Sequence, residues 1–453
     1  MLTLLVTFAL TAVPFNARIT PDAQLAVHLP VAKNAASLRP FFDKAGNYSA
    51  LLRPEAWRDD AHPLLGIDVT RAETMEAAGI DVQGPITLST SAKADWSYTC
   101  LRLKNASVYD KATGTRLATL GTPFRKTQSG VTVVGAKDSL GRVVAGYVTV
   151  GNQSCAVRAP NGDGEAALKS AATWLKQPAW SKWKPPVPLE GDAFVYGSSG
   201  AIGMAASTHT ATFDAVNTEG LAPALSTATA SPYTLEGPAG LVKARVQYAK
   251  ASISSAVSNT HRMLARLCPR CDKAVLGEFT AALEKQMTGN VMFFVAEAKV
   301  QGSLKQEAAR FAALKSAMLV ELTSAAAAQA LLEPANRYID SGKAPLKVSA
   351  QGAHFVISND ANASQNATRF ISANPSRPQH GADFTFDAKL AAQALSQIPL
   401  FEALSSPELA GLLAASAEAG PLLLHTEAVQ GWADGGGKGP LRVQLMWTLS
   451  AAK

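Results

Sequence analysis

The most regular pattern in this sequence is an alternation of apolar and polar positions near its C-terminal end. Every second residue from 441 to 449 is apolar, and these positions are Leu441, Val443, Leu445, Trp447 and Leu449. Such alternation predicts a strand with one face on an apolar core. Strand-like runs separated by turn residues recur between residues 96 and 158. They predict an antiparallel meander.

Apolar residues three or four positions apart predict helices between the strands. The longest such series is Leu304, Ala308, Phe311, Leu314, Met318 and Leu322. A strand leading into a helix is predicted twice, over residues 27–44 and 384–404. Runs of strands with intervening helices indicate an α+β fold, in which antiparallel sheets carry helices packed on one face. The recurring unit indicates two related lobes that arose by duplication.

A proline-rich segment predicts where the lobes divide. Four prolines fall between residues 176 and 190, at Pro178, Pro185, Pro186 and Pro188. Because proline breaks regular helix and stiffens an extended chain, this segment reads as a linker. We therefore expect an N-terminal α+β lobe at residues 18–175 and a C-terminal α+β lobe at 191–453, which can be subdivided further.

The N-terminus predicts export. Residues 1–13 are uncharged and mostly apolar, and Pro14 ends the run. This length is too short for a membrane helix and suits the core of a secretory signal peptide, which we place at residues 1–17. A buried first strand is the alternative. No later run reaches the length that a transmembrane segment needs, so the expected location is periplasmic or extracellular.

Composition narrows the function classes. The chain is 47% hydrophobic, which excludes disorder over most of its length. Its net charge of +7 comes from dispersed residues without a long basic block. A dedicated nucleic-acid binder would cluster its lysines and arginines, so nucleic acid is not an expected partner.

The four cysteines predict two disulfides. Cys100 and Cys155 lie in strand-like runs of the first half, and Cys268 and Cys271 form a local CxxC pair. An even count in an exported chain favours disulfides, and this layout favours a Cys100–Cys155 and a Cys268–Cys271 bond. A CxxC pair can also perform thiol–disulfide exchange when nearby positive charge lowers the pKa of its first thiol. His261 lies two helical turns before Cys268, but no fourth ligand completes a structural zinc site.

A tryptophan- and lysine-rich stretch around the linker is a candidate binding patch. Its members are Trp174, Trp180, Trp183, Lys182 and Lys184. Indole faces and lysine charges suit a polysaccharide, an anionic membrane surface or a protein partner. The alternative is that the tryptophans dock the linker against the lobes. The serines, histidines and glycines form no recognisable catalytic, metal or phosphate motif, so no catalytic residue, metal or cofactor is predicted.

Several short apolar motifs resemble a broad group of exported bacterial proteins of unknown function. The motifs lie at residues 63–68, 78–81 and 84–86, and again at 387–390 and 398–400. The resemblance implies an envelope or secreted location and a duplicated α+β fold, and it transfers no catalytic residues. We expect a non-enzymatic binding, carrier or interaction protein of the cell envelope that holds an apolar ligand or an envelope component. A thiol–disulfide oxidoreductase using the CxxC pair is the alternative.

Overall fold

The computed structural model describes residues 23–32, 35–56, 62, 64–91, 96–161, 163–177, 189, 191–197, 200–217, 224–226, 235–299, 313–374, 380–397, 417 and 419–451. The chain divides into two compact units, Leu2–Thr218 and Glu219–Lys453. The predicted signal peptide lies outside the described residues.

In the first unit, helices separate runs of antiparallel strands. Its strands are β1 (Ala23–Leu29), β2 (Ile86–Ser91), β3 (Ser97–Arg102), β4 (Thr122–Gln128), β5 (Val131–Lys137), β6 (Val143–Val150), β7 (Gln153–Arg158), β8 (Ala193–Gly197), β9 (Gly200–Ala206) and β10 (Thr210–Asn217). Its helices are α1 (Ala35–Gly46), α2 (Ala72–Ala77), α3 (Ala106–Leu120) and α4 (Gly164–Leu175). The strands pair in the order β10-β9-β8-β1-β2-β3-β7-β6-β5-β4.

The second unit is built in the same way. Its strands are β11 (Val242–Gln247), β12 (Met287–Ala298), β13 (Leu314–Leu322), β14 (Lys347–Gln351), β15 (His354–Ser358), β16 (Ala382–Phe386), β17 (Thr426–Gly435) and β18 (Leu441–Leu449). Its helices are α5 (Ile253–Leu267), α6 (Lys273–Gln286), α7 (Ala325–Ala330), α8 (Leu332–Gly342), α9 (Ala361–Ala373) and α10 (Ala388–Ser396). The strands pair in the order β18-β17-β16-β11-β12-β13-β15-β14.

The two pairing orders match strand for strand. The eight strands from β10 to β6 in the first sheet correspond, in order, to the eight strands from β18 to β14 in the second sheet. The connecting helices correspond as well, because α4 joins β7 to β8 and α9 joins β15 to β16. The β4–β5 pair extends the edge of the first sheet and has no counterpart among the described strands of the second. The α+β class with antiparallel sheets is confirmed. That the units are related by duplication stays a prediction.

Helices cover both faces of each sheet, where the sequence predicted one. In β12, Met292 and Phe294 face α9, whereas Val291 and the intervening Phe293 face the cluster formed with α5–α8. Neighbouring residues of a strand point to opposite faces, so an unbroken apolar run such as residues 291–295 requires cover on both sides. In the first unit, α4 covers one face and α1–α3 the other.

Two predicted boundaries differ from the structure. The second lobe was expected to begin at residue 191, but β8 pairs with β1, so residues 193–217 belong to the first unit. The helix expected over residues 304–322 is wrong from Leu314 onward, where β13 pairs with both β12 and β15. Long-range pairing overrides the local helical spacing there.

Candidate functional site

Both predicted disulfides are present in the structure. Cys100 and Cys155 face each other across the β3–β7 pair and are joined under α4. Cys268 and Cys271 are joined between the end of α5 and the start of α6. The disulfide part of the sequence prediction is therefore confirmed.

The CxxC pair is packed into the core of the second unit. Cys268 is 7% exposed and Cys271 is 5% exposed. The backbone of Gly342, at the end of α8, lies so close that a β-carbon at that position would be 2.8 Å from the Sγ of Cys271. The hydroxyl of Ser341 accepts a hydrogen bond of 2.9 Å from the backbone N–H of Asp272. This packing leaves little room for the in-line approach of another sulfur, which exchange chemistry requires.

The predicted tryptophan patch is only partly within the described residues. The Trp174 side chain is half-buried and meets the Tyr98 ring edge-on, with 4.8 Å between ring centroids. It packs on the core cluster beneath α4. Trp180, Trp183, Lys182 and Lys184 lie outside the described residues. For Trp174, the contacts are those of a residue docked on its own sheet, and docking of the linker by the other tryptophans stays a prediction.

An apolar surface on the second sheet is the strongest candidate for a binding site. On one face of β11, β16, β17 and β18, neighbouring residues are apolar over two successive rows of strand pairing. We call this surface the apolar strip, and its residues are Val242, Ala244, Phe384, Phe386, Val429, Gly431 and Leu445. All seven are half-buried, in contrast to the fully buried core beside them.

Pairing register explains why the strip is continuous. Leu445, Gly431 and Phe384 lie side by side on β18, β17 and β16. Ala244 on β11 continues this row, and Phe293 on β12 follows it under the helices of the unit. Glycine at position 431 leaves room for an aromatic ring, because a β-carbon there would lie 2.7 Å from Cζ of Phe384. The strip therefore extends the buried core outward along the sheet.

Described elements border the strip on three sides. The cluster that contains α5–α8 covers the sheet from β12 to β15. At one end, Phe386 packs with Ala388 and Ala392 of α10. At the other end, Leu225 and Tyr248 pack with Val246 and Val443. The result is an apolar surface on the sheet that packed elements border on three sides, and small-molecule sites are lined mainly by apolar side chains of this kind.

The opposite face of the same strands carries buried polar groups. Arg245 of β11 lies opposite Asp383 of β16, and these residues are 3% and 0% exposed. Arg245 Nη1 donates a hydrogen bond of 2.6 Å to the carbonyl oxygen of Asn374, just beyond α9. A buried charge is stable only when it is paired and hydrogen-bonded. The polar residues on this face therefore contact one another and the neighbouring backbone, and they are not available to a ligand.

A histidine–aspartate pair lies at the edge of that polar face. His380 Nδ1 is 2.9 Å from Asp434 Oδ2, and its ring stacks on Trp432 with 4.3 Å between centroids. Trp432 Nε1 in turn donates to Gln444 Oε1 at 2.9 Å. The Nε2 atom of His380 is buried without a hydrogen-bond partner among the described residues. With the ring only 4% exposed, a substrate cannot reach that nitrogen without rearrangement, and the pair orients Trp432.

The first unit contains a second group of buried polar side chains between α3 and the sheet. His62 Nε2 lies 3.2 Å from the hydroxyl of Tyr109, and burial lowers the pKa of His62 to about 3. The hydroxyl of Tyr147 donates to Asp110, which also accepts two bonds from Arg125 Nη1 at 2.8 and 2.7 Å. Burial first, and then the Asp110 contact, raise the pKa of Tyr147. The His62 imidazole is thus neutral at neutral pH, and Asp110 is paired with Tyr147 and Arg125.

Sequence reasoning missed the polar groups of both units. Asp383 stands between Ala382 and Phe384 in a short strand, and an acidic residue inside an apolar strand is the one signal that pointed to it. The His380–Asp434 pair joins residues 54 positions apart, which no local motif encodes. Within the described residues, no group of three or more His, Cys, Asp and Glu side chains is arranged to hold a metal ion.

No helix in the described part of the chain is both long enough and apolar enough to cross a membrane. No family model matches the chain, and no curated protein matches it. One solved structure, titled "Structure of crystal form I of TP0453", is similar over 78% of this chain and 95% of its own, with 8% identity and a TM-score of 0.21. A similarity of that degree carries no argument about fold or function. The resemblance to exported bacterial proteins stays a prediction.

Proposed function

We propose that this chain is an exported, non-enzymatic binding protein of the cell envelope that holds a small apolar molecule, such as an acyl chain, on the apolar strip. The observation that carries the proposal is the strip itself, an apolar row on four paired strands that the described helices border but do not fully bury. Two buried disulfides support an oxidising compartment. The apolar N-terminal run of the sequence supports export.

The dimensions of the strip suit a small ligand. Four strands at a spacing of about 4.8 Å span roughly 14 Å, and two rows of side chains span about 7 Å along the strands. A ligand covering this area removes about 100 Å² of apolar surface from water on each partner. That burial contributes about 5 kcal/mol, before the cost of immobilising the ligand. A free energy of about 5 kcal/mol corresponds to a Kd of about 0.2 mM, and the cost of immobilisation weakens this, so we expect a Kd of about 0.2 mM or above.

A fluorescent fatty acid tests this proposal. Titration of the full-length chain with parinaric acid should give saturable binding, and Leu445→Gln should weaken it about tenfold because it places an amide in the strip. Met446→Gln is the matched control, since Met446 is the next residue of β18 and faces the opposite side of the sheet. Equal losses for the two variants, or no saturable binding by the wild-type chain, would contradict the proposal.

The thiol–disulfide alternative is disfavoured by the burial of Cys268 and Cys271. An insulin-reduction assay on the full-length chain, with dithiothreitol as electron donor, should show no acceleration over the uncatalysed rate. Acceleration that disappears in Cys268→Ser would instead establish the oxidoreductase.

A further inference from the structure

The edge of the first sheet presents an unusual combination of apolar and basic groups. Leu140, in the turn between β5 and β6, is 74% exposed, the highest value among the described large apolar residues. Leu120, at the end of α3, is 38% exposed. Both lie at the same end of the sheet, because Gly121 packs directly against the backbone carbonyl of Lys137. We call this surface the edge patch, formed by Leu120, Lys126, Lys137, Leu140 and Arg142.

The turn that carries Leu140 is held in one conformation. Asp138 Oδ1 accepts hydrogen bonds of 2.9 Å from the backbone N–H groups of Leu140 and Arg142. Asp138 Oδ2 also accepts from the Arg142 guanidinium, 2.7 Å from Nη2, and the backbone N–H contacts and the guanidinium hold the Asp138 pKa below its usual value. Gly141 supplies the left-handed backbone with a φ of 77°. The leucine side chain is thus displayed outward by a rigid turn.

Two lysines place positive charge along the same edge of the sheet. Lys137 ends β5 at the end where the leucines lie, and Lys126 lies four residues along β4 from that end, opposite Val133. Residues 101–142 include eight basic and two acidic residues, and two of the basic ones, Arg102 and Lys104, pair with Asp81 and Glu76 outside this range. The acids are both paired with arginine, Asp110 with Arg125 and Asp138 with Arg142. Lys126 and Lys137 lie 5.9 and 5.7 Å from the centroid of the Phe124 ring, and neither forms an ion pair with any described residue. Lys126 and Lys137 therefore give the edge patch positive charge that no described residue neutralises.

We propose that the edge patch docks on an anionic lipid surface, with Leu140 inserted among the acyl chains and the lysines at the headgroups. An exposed leucine on a rigid turn gains about the transfer energy of its side chain on insertion, while each basic residue gains from the negative surface potential. Charge complementarity decides the occupant, since a purely apolar partner leaves the lysines unsatisfied. Edge lysines also discourage strand-to-strand aggregation, but that role does not require an exposed leucine at the adjacent turn.

Vesicle co-sedimentation of the full-length chain tests this inference. The wild-type chain should bind vesicles that contain about one-third phosphatidylglycerol in phosphatidylcholine, bind pure phosphatidylcholine at least tenfold more weakly, and dissociate at high salt. Leu140→Ser should weaken binding about tenfold, and Lys126→Glu with Lys137→Glu at least tenfold. Leu51→Ser is the matched control, because Leu51 is also a strongly exposed leucine, at 59%, outside the edge patch.

Three outcomes would overturn the inference. They are equal binding to anionic and neutral vesicles, equal losses for Leu51→Ser and Leu140→Ser, and no binding to either vesicle. Loss of vesicle binding in Leu445→Gln alone would assign the contact to the apolar strip instead. The thermal unfolding midpoints of the edge-patch variants and of Leu51→Ser should match that of the wild type, since these substituted side chains are exposed.

Discussion

Removal of the Cys100–Cys155 disulfide should destabilise the first unit by about 4 kcal/mol. The bond closes a loop with a sequence separation of 55 residues, and in the chain-entropy model a loop of that length restricts the unfolded chain by this amount. The Cys268–Cys271 bond has a separation of 3, and the same model gives about 2 kcal/mol. The stabilisation that the two bonds provide is therefore expected to differ by about 2 kcal/mol.

The comparison uses the variants Cys100→Ala/Cys155→Ala and Cys268→Ala/Cys271→Ala. Each double variant removes two buried sulfur atoms, so the loss of packing is similar in both. The difference between their losses of unfolding free energy therefore reports the effect of loop length. Hydrogen exchange read by mass spectrometry at increasing urea reports the free energy of unfolding of each unit separately. A larger loss for the Cys268–Cys271 variant, or equal losses, would refute the reasoning from loop length.

Three further predictions test side-chain packing inside each unit. Burial lowers the pKa of His28 to about 4 and that of His62 to about 3, so the unfolded chain binds more protons than the folded chain between pH 6.5 and 4. Stability should therefore fall on acidification through this window, by about 2 kcal/mol for each histidine at pH 5, and a flat urea midpoint from pH 7.5 to 5 would contradict this. Trp174→Ala should cost about 3 kcal/mol in the urea unfolding of the first unit if Trp174 is a docking residue, and an unchanged midpoint would return it to the candidate binding patch. Gly431→Val should lower the thermal midpoint of the second unit because its side chain would displace the Phe384 ring, whereas an unchanged midpoint would contradict the close packing at that position.

The parts of the fold that local signals determine were predictable. Alternation over residues 441–449 predicted β18, and the strand-like runs and turn residues between 96 and 158 predicted the antiparallel pairs formed by β5, β6 and β7. Cys100 and Cys155 were paired correctly because both lay in strands of one meander, where cross-strand neighbours come within bonding distance. A helix was predicted to follow the strand at residue 384, and it begins after Asp387, whose carboxylate accepts from the N–H groups of Lys389 and Leu390.

The parts that depend on long-range pairing were not predictable. The apolar positions of residues 314–322 fit the spacing of a helix as well as that of a strand. The segment is a strand because it pairs with β12 and β15. The apolar strip combines residues from four strands separated by up to 203 positions, so its members share no local motif. Proline content at residues 176–190 signalled an interruption of regular structure, but it could not show that β8 returns to pair with β1.

The most direct test of the central claim is to locate a bound apolar ligand by photochemical labelling. A fatty acid with a diazirine at the end of its chain is added to the full-length protein, irradiated, and mapped by peptide mass spectrometry. The account predicts labels on Phe384, Val429 and Leu445, competed away by unlabelled fatty acid and reduced in Leu445→Gln but not in Met446→Gln. Labels confined to other surfaces, or labelling that excess fatty acid does not compete, would contradict it.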